Sequence, residues 1–137
     1  MLLTGASGNI GYETLKQLVI QKDKFDVTVF ELKTPRSMKL FAPFENDITI
    51  VYGDITNAES IREACREKDY VVHLAALIPP KADELPELAR KINTEGTRNL
   101  VQNLEMYSPD AFLAYSSSVS VLRRSGKNAF YPHYRPA

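Results

Sequence analysis

Short, nearly unbroken apolar runs recur along this chain, and between them apolar residues fall at helical spacing. The runs are Met1-Leu2-Leu3-Thr4, Asp26 to Glu31 (DVTVFE), Ile48 to Tyr52 (ITIVY), Tyr70 to Leu74 (YVVHL) and Ala111 to Tyr115 (AFLAY). Their β-branched and aromatic content predicts five strands. Ile10, Thr14, Leu18 and Val19 mark the buried side of a first helix from about Asn9 to Gln21. Thr34-Pro35 supplies an N-cap and a first-turn proline for a short helix through Phe41. Thr56-Asn57-Ala58-Glu59 reads as a capping box opening a helix that ends near Glu67. Leu85, Leu88, Ala89, Ile92, Leu100, Val101 and Leu104 give a long helix one apolar face, after an irregular loop holding Pro79-Pro80.

Strands without in/out alternation, separated by helices, imply a parallel sheet covered on both faces. Right-handed crossovers then predict an α/β, doubly wound parallel sheet of order 3-2-1-4-5. No internal repeat interrupts this alternation.

Composition narrows the picture without changing it. The 137 residues suffice for one domain with a real core, and 17 basic residues balance 17 acidic ones. Nothing therefore points to nucleic acid or to an anionic membrane surface. No apolar run approaches the roughly 20 residues of a membrane span, and no secretory leader is seen. The single cysteine, Cys65, excludes a disulfide framework and fits a cytoplasmic location. In step with Ala58 and Ile61, it reads as a small buried hydrophobe. The two histidines stand sixty positions apart, so no metal site is expected.

The chemistry sits where strands end. Gly5-Ala6-Ser7-Gly8-Asn9-Ile10-Gly11 follows the first strand and opens the first helix. A helix N-terminus offers unpaired N–H groups and a positive dipole end to a pyrophosphate. Gly5 makes the tight turn, Gly8 admits the phosphates to the backbone, and Gly11 lets helix and strand lie close. The second strand ends at Glu31, whose carboxylate can accept from the ribose hydroxyls and repel a 2′-phosphate. This favours NAD over NADP, with Lys33 and Arg36 as neighbouring cations that oppose the preference. Gly53-Asp54-Ile55 closes the third strand. Asp54 either accepts from an adenine amino group or caps the following helix. Small residues in His73-Leu74-Ala75-Ala76 let a cofactor lie against the backbone, with His73 itself packing at the strand end.

TGASGNIG, GDIT, HLAA, INTEGTRNL and YSSS occur in this order between Met1 and about Leu122. Together they resemble the extended short-chain dehydrogenase/reductase superfamily, which includes the nucleotide-sugar epimerases and dehydratases. The resemblance implies a Rossmann-type NAD(P) domain with Gly5, Gly8, Asn9, Ile10 and Gly11 around the pyrophosphate. It sets Glu31 at the ribose, Asp54 and Ile55 at the adenine, and Leu74, Ala75 and Ala76 along the middle of the cofactor. Asn93 matches the family asparagine that supports the active site, Ser116 joins the cofactor set, and Gly96 allows close helix packing.

Ser118 matches the family serine that hydrogen-bonds the reacting substrate oxygen, although Leu122-Arg123 replaces the usual Tyr-Gly after it. The family's Tyr-x-x-x-Lys acid/base pair is not found. Tyr131 and Arg135 have the spacing, but Pro132 and Pro136 oppose a helix and arginine is not lysine. The chain is therefore expected to be the cofactor-binding part, residues 1–137, of a longer enzyme. The expected activity is hydride transfer between NAD and a hydroxyl or carbonyl of a small molecule. A nucleotide-sugar leads a steroid-like alcohol as substrate, and a homodimer is the expected assembly. A catalytically silent dinucleotide-binding sensor or regulatory module is the alternative.

Overall fold

The computed structural model describes residues 1–117. Its strands are β1 (Leu2–Thr4), β2 (Thr28–Glu31), β3 (Thr49–Tyr52), β4 (Tyr70–His73) and β5 (Phe112–Tyr115). All pair in parallel, in the order β3-β2-β1-β4-β5. β1 lies in the middle, with Leu3 opposite Val29 on one side and Val72 on the other. The doubly wound sheet expected from the sequence is thus the one observed, with strand ends within two residues of those anticipated.

Successive residues of a strand face opposite sides of the sheet, so Leu2 and Leu3 begin two separate cores. Leu3, Leu15, Val27, Val29 and Phe41 pack on the side of α1 (Asn9–Ile20) and α2 (Pro35–Phe41). On the other side, Leu2, Ile61, Cys65, Val71, Leu100 and Leu104 pack beneath α3 (Ala58–Ile61) and the later helices. Each large apolar side chain removed from water here contributes about 1.5–3 kcal/mol.

Helix starts follow side-chain chemistry. Thr34 caps α2 as expected: its Oγ1 accepts from Ser37 N at 3.0 Å while Ser37 Oγ accepts from Thr34 N at 2.9 Å. The cap of α3 is Asn57, whose Oδ1 accepts from Glu59 N at 3.0 Å, rather than Thr56. The Asp54 carboxylate already holds the Thr56 amide and hydroxyl, at 2.9 and 2.8 Å, which takes Thr56 out of the capping position. The helix is also shorter than expected, passing into a 3₁₀ turn at Glu63–Cys65 before Glu67 takes a left-handed φ of 53°.

Three burial expectations are corrected. Ile10 is 69% exposed, because it stands on the first turn of α1 beyond the sheet edge; Gly11 and Leu15 carry the buried face instead. Leu85 and Leu88 are exposed, since the long helix is built in stages: α4 (Lys81–Glu84), α5 (Pro86–Arg90), a π-helical turn over Lys91–Gly96, and α6 (Thr97–Tyr107). α6 reaches the core through Leu100 and Leu104, Ile92 of the π-helical turn packs against the same cluster, and Ala89 is the buried residue of α5. Cover of the sheet is incomplete at β5: Leu113 packs on the Leu100–Leu104 cluster, whereas Phe112, Tyr115 and neighbouring Tyr70 stay exposed.

Candidate functional site

The carboxyl ends of β1, β2, β3 and β4 open onto one cleft of about 500 Å³. It lies where strand order reverses around β1, the position at which open α/β sheets take their ligands. One wall is the glycine turn. Gly5 has φ +74°, and a Cβ there would sit 2.5 Å from Ala75 N. Only glycine meets both demands. A Cβ on Gly11 would penetrate Gly5 O, so its absence lets α1 leave β1 at close range. At Gly8 the sole neighbour of a Cβ among the described residues is Gly5 O at 3.4 Å, and the residue faces the open cleft. Gly8 is also the N-cap of α1 and offers no capping side chain. The first-turn amides of α1 consequently lack intrahelical partners and are open to an external acceptor.

Glu31 stands across from this turn. Its Oε2 accepts from Ser7 N at 3.0 Å and its Oε1 from Leu32 N at 3.1 Å. These bonds tie the end of β2 to the glycine turn. Of the two neighbouring cations, Arg36 lines the cleft and an adjoining cavity of about 260 Å³ shared with Ser7, Gly8 and Asn9. Lys33 is turned onto the Tyr52 ring, its Nζ 5.8 Å from the centroid.

Asp54 and Ile55 form the far end of the cleft. Asp54 spends one carboxylate oxygen on the Thr56 turn and does not cap a helix directly. Ile55 is pinned by Asn99 Nδ2, which donates to its carbonyl at 3.0 Å, and by Gly96, where a Cβ would lie 2.7 Å from Ile55 Cγ2. Gly96 therefore has the packing role expected of it. Leu74, Ala75, Ala76 and Leu77 supply the opposite wall.

Five of the sequence-expected cofactor residues do not line the cleft; one of them, Asn9, lines only the adjoining cavity. Ile10 points to solvent, Gly11 is buried behind the turn, and Ser116 is exposed after β5. Asn93 directs its whole amide at one backbone unit: Oδ1 accepts from Leu77 N at 2.8 Å and Nδ2 donates to Leu77 O at 2.9 Å. Its contact with the site runs through the wall it clamps. Ser118 and Tyr131 lie outside the described residues. Thr34, Lys81 and Ile92 also line the cleft. No sequence signal marks Lys81, because its place depends on the path of the loop after β4.

His73 is 1% exposed, and burial pushes its pKa down to about 4 from the ordinary 6.5. Thr4 Oγ1 lies 2.6 Å from its Nδ1 and Thr97 Oγ1 2.9 Å from its Nε2. The unfolded chain therefore binds a proton that the folded chain refuses between these two pH values. Stability contributed by the neutral ring is complete above pH 6.5 and is lost as pH falls toward 4. We expect a loss on the order of 3 kcal/mol from this group between pH 7 and 4. Urea unfolding of wild type and His73→Gln across this range measures it; equal pH slopes would remove the assignment. Cys65 is fully buried and its thiol is pushed up to about 12 by burial, which makes it a core residue and not a nucleophile.

Among the described residues, no three His, Cys, Asp or Glu side chains gather as metal ligands. No helix among them is long and apolar enough to cross a membrane.

The model for the 3-beta hydroxysteroid dehydrogenase/isomerase family matches residues 2–131. Mouse (Mus musculus) 3 beta-hydroxysteroid dehydrogenase type 7 is 25% identical over 135 residues, covering 98% of this chain and 36% of its own length. Among solved structures, Pen from Bacillus thuringiensis superposes with a TM-score of 0.78 at 27% identity, covering 88% of this chain and 37% of that one. Thermus thermophilus UDP-glucose 4-epimerase in complex with NAD gives a TM-score of 0.66 at 25% identity, covering 77% and 33%. The chain thus spans little more than a third of the length of the curated relatives it matches.

Proposed function

Because the chain belongs to the 3-beta hydroxysteroid dehydrogenase/isomerase family, we propose that it forms the NAD-binding part of an oxidoreductase acting on a hydroxyl or carbonyl of a small molecule. The observation that carries this reading is the glycine turn at the mouth of the cleft. Its one unfilled position, Gly8, faces a space large enough for a dinucleotide, beside Glu31 and the open amides of α1.

The residues fit such a cofactor from end to end. Gly5 and Gly8 hold the turn, and the N-terminal amides of α1 donate to the pyrophosphate. Glu31 accepts from the adenosine ribose with the lone pairs left over from Ser7 and Leu32. Asp54 and Ile55 border the adenine, while Leu74, Ala75 and Ala76 exclude water along the middle of the cofactor. Asn93 and Ser116 act behind this wall and at its open end. NAD, when bound, supplies the capacity to take up or return a hydride. The chain's own task is binding, orientation and exclusion of water.

Two substrate classes have parallels among the relatives. The Thermus epimerase is named for a nucleotide-sugar and the mouse enzyme for a 3 beta-hydroxysteroid. The family assignment favours a steroid-like secondary alcohol over the nucleotide-sugar expected from the motifs. Turnover of a panel of both classes by the intact enzyme decides between them.

Ser118 is assigned to the reacting substrate oxygen, where its hydroxyl hydrogen-bonds the charge that develops during hydride transfer. Ser118→Ala should then lower the single-turnover rate by roughly tenfold or more, at about 1.4 kcal/mol per factor of ten, with NAD affinity nearly unchanged. An unaltered rate would reduce the serine cluster to a turn.

A further inference from the structure

Every polar atom around the buried His73 ring has an observed neighbour, and the neighbours form one chain. Ala75 N donates to Thr4 Oγ1 at 3.3 Å, and Thr4 Oγ1 lies 2.6 Å from His73 Nδ1. On the other side of the ring, Nε2 lies 2.9 Å from Thr97 Oγ1, which donates to the Asn93 carbonyl at 2.8 Å. Counting protons along this chain leaves one consistent arrangement. The Thr97 hydroxyl proton goes to Asn93, so Thr97 Oγ1 must accept, and Nε2 must carry the ring proton. Nδ1 then accepts the Thr4 hydroxyl proton, and Thr4 Oγ1 accepts from Ala75. With the proton on Nδ1 instead, Thr4 Oγ1 would receive two donors, and its own buried proton would have no acceptor among the described residues.

The chain joins parts of the site that the sheet does not join by itself. Thr4 immediately precedes the Gly5 turn, and Ala75 is the wall residue that a Cβ on Gly5 would strike. Asn93 is the clamp on Leu77, at the other end of the same wall. The ring face is also stacked on Tyr115 of β5, centroids 5.5 Å apart and planes 20° from parallel. Ser116 follows directly. One imidazole at the end of β4 thus touches the ends of β1 and β5 and the first residue of α6, and through Thr97 it reaches the π-helical turn.

We propose that His73, a neutral imidazole carrying its proton on Nε2, is the positioning residue that holds the glycine turn, the Leu74–Leu77 wall and the end of β5 in the register a bound dinucleotide requires. The proposal rests on the reading of the cleft as an NAD site. It differs from simple core packing, since a ring of the same shape without the two directed hydrogen bonds would leave the wall and the turn uncoupled.

The test uses the intact protein and two measurements. Ring-nitrogen NMR of the ¹⁵N-histidine-labelled protein, with His73 assigned by its loss in His73→Gln, should show a protonated Nε2 and an acceptor Nδ1. Calorimetric titration with NAD should show Thr97→Val, which removes the acceptor for Nε2–H but keeps the side-chain shape, binding roughly tenfold more weakly. Thr97→Ser, which restores the hydroxyl, should return affinity to within about twofold of wild type. A ring proton on Nδ1, a Thr97→Val protein that binds as wild type does, or a Thr97→Ser protein as weak as Thr97→Val would each overturn the positioning role. Absence of NAD binding by wild type would instead fell the cleft reading, and the positioning role with it.

Discussion

Gly8→Val is expected to abolish NAD binding while leaving the protein folded. The backbone at Gly8 has φ −78° and ψ 167°, an extended conformation open to any residue. Among the described residues a Cβ there meets only Gly5 O, at an ordinary contact distance of 3.4 Å. The valine methyls would extend into the cleft, on the face where the first-turn amides of α1 await an anion. Pyrophosphate and methyl groups would compete for the same volume, and the loss should exceed about a hundredfold in Kd, or about 2.7 kcal/mol. Gly11→Ala makes the contrasting control, because its Cβ would penetrate Gly5 O and force α1 away from β1. That variant should lose thermal stability, whereas Gly8→Val should melt close to wild type and fail only in titration with NAD. Unchanged affinity in Gly8→Val would withdraw the phosphate-cradle assignment, whatever the family.

The contrast between these two glycines shows what a sequence can and cannot disclose. Three glycines at three-residue spacing identify a strand-turn-helix junction, because backbone chemistry alone requires them. The capping of α2 by Thr34 was legible for the same reason: its hydrogen bonds close within four residues. The cap of α3 was not, because Asp54 competes for Thr56 and leaves Asn57 as the cap. Ile10 has the periodicity of a core residue and is exposed, since periodicity says nothing about where a helix overhangs the sheet. Leu85 and Leu88 fail as core positions because the π-helical turn at Lys91–Gly96 shifts the phase of the helical face that follows. Asn93 could be placed near the site only by resemblance. Its partner Leu77 is sixteen residues away, across a loop whose path no local pattern encodes.

Glu31 was legible as an acidic strand end, but its relation to the two nearby cations was not, and the choice of cofactor is expected to turn on that relation. NAD is expected to bind more tightly than NADP by about 1–3 kcal/mol, the worth of a charge-assisted hydrogen bond to the ribose. The carboxylate is held at the turn by Ser7 and Leu32, so it cannot swing aside for a 2′-phosphate without leaving Ser7 N unpaired. Opposing it, Lys33 is engaged with Tyr52, so that of these two cations Arg36 lines the cleft. Glu31→Gln keeps the shape and removes the charge, and its amide oxygen replaces one of the two acceptors that Ser7 N and Leu32 N use. It should weaken NAD and strengthen NADP until the two bind within about threefold of each other, by loss of one charge-assisted bond and one repulsion. Arg36→Ala should weaken NADP more than NAD, because a guanidinium has no anionic partner on an unphosphorylated ribose. Parallel titrations of both cofactors with wild type and the two variants decide the matter. If wild type prefers NADP and Arg36→Ala reverses that preference, the arginine controls the pocket, and Glu31 serves the glycine turn as a structural acceptor alone.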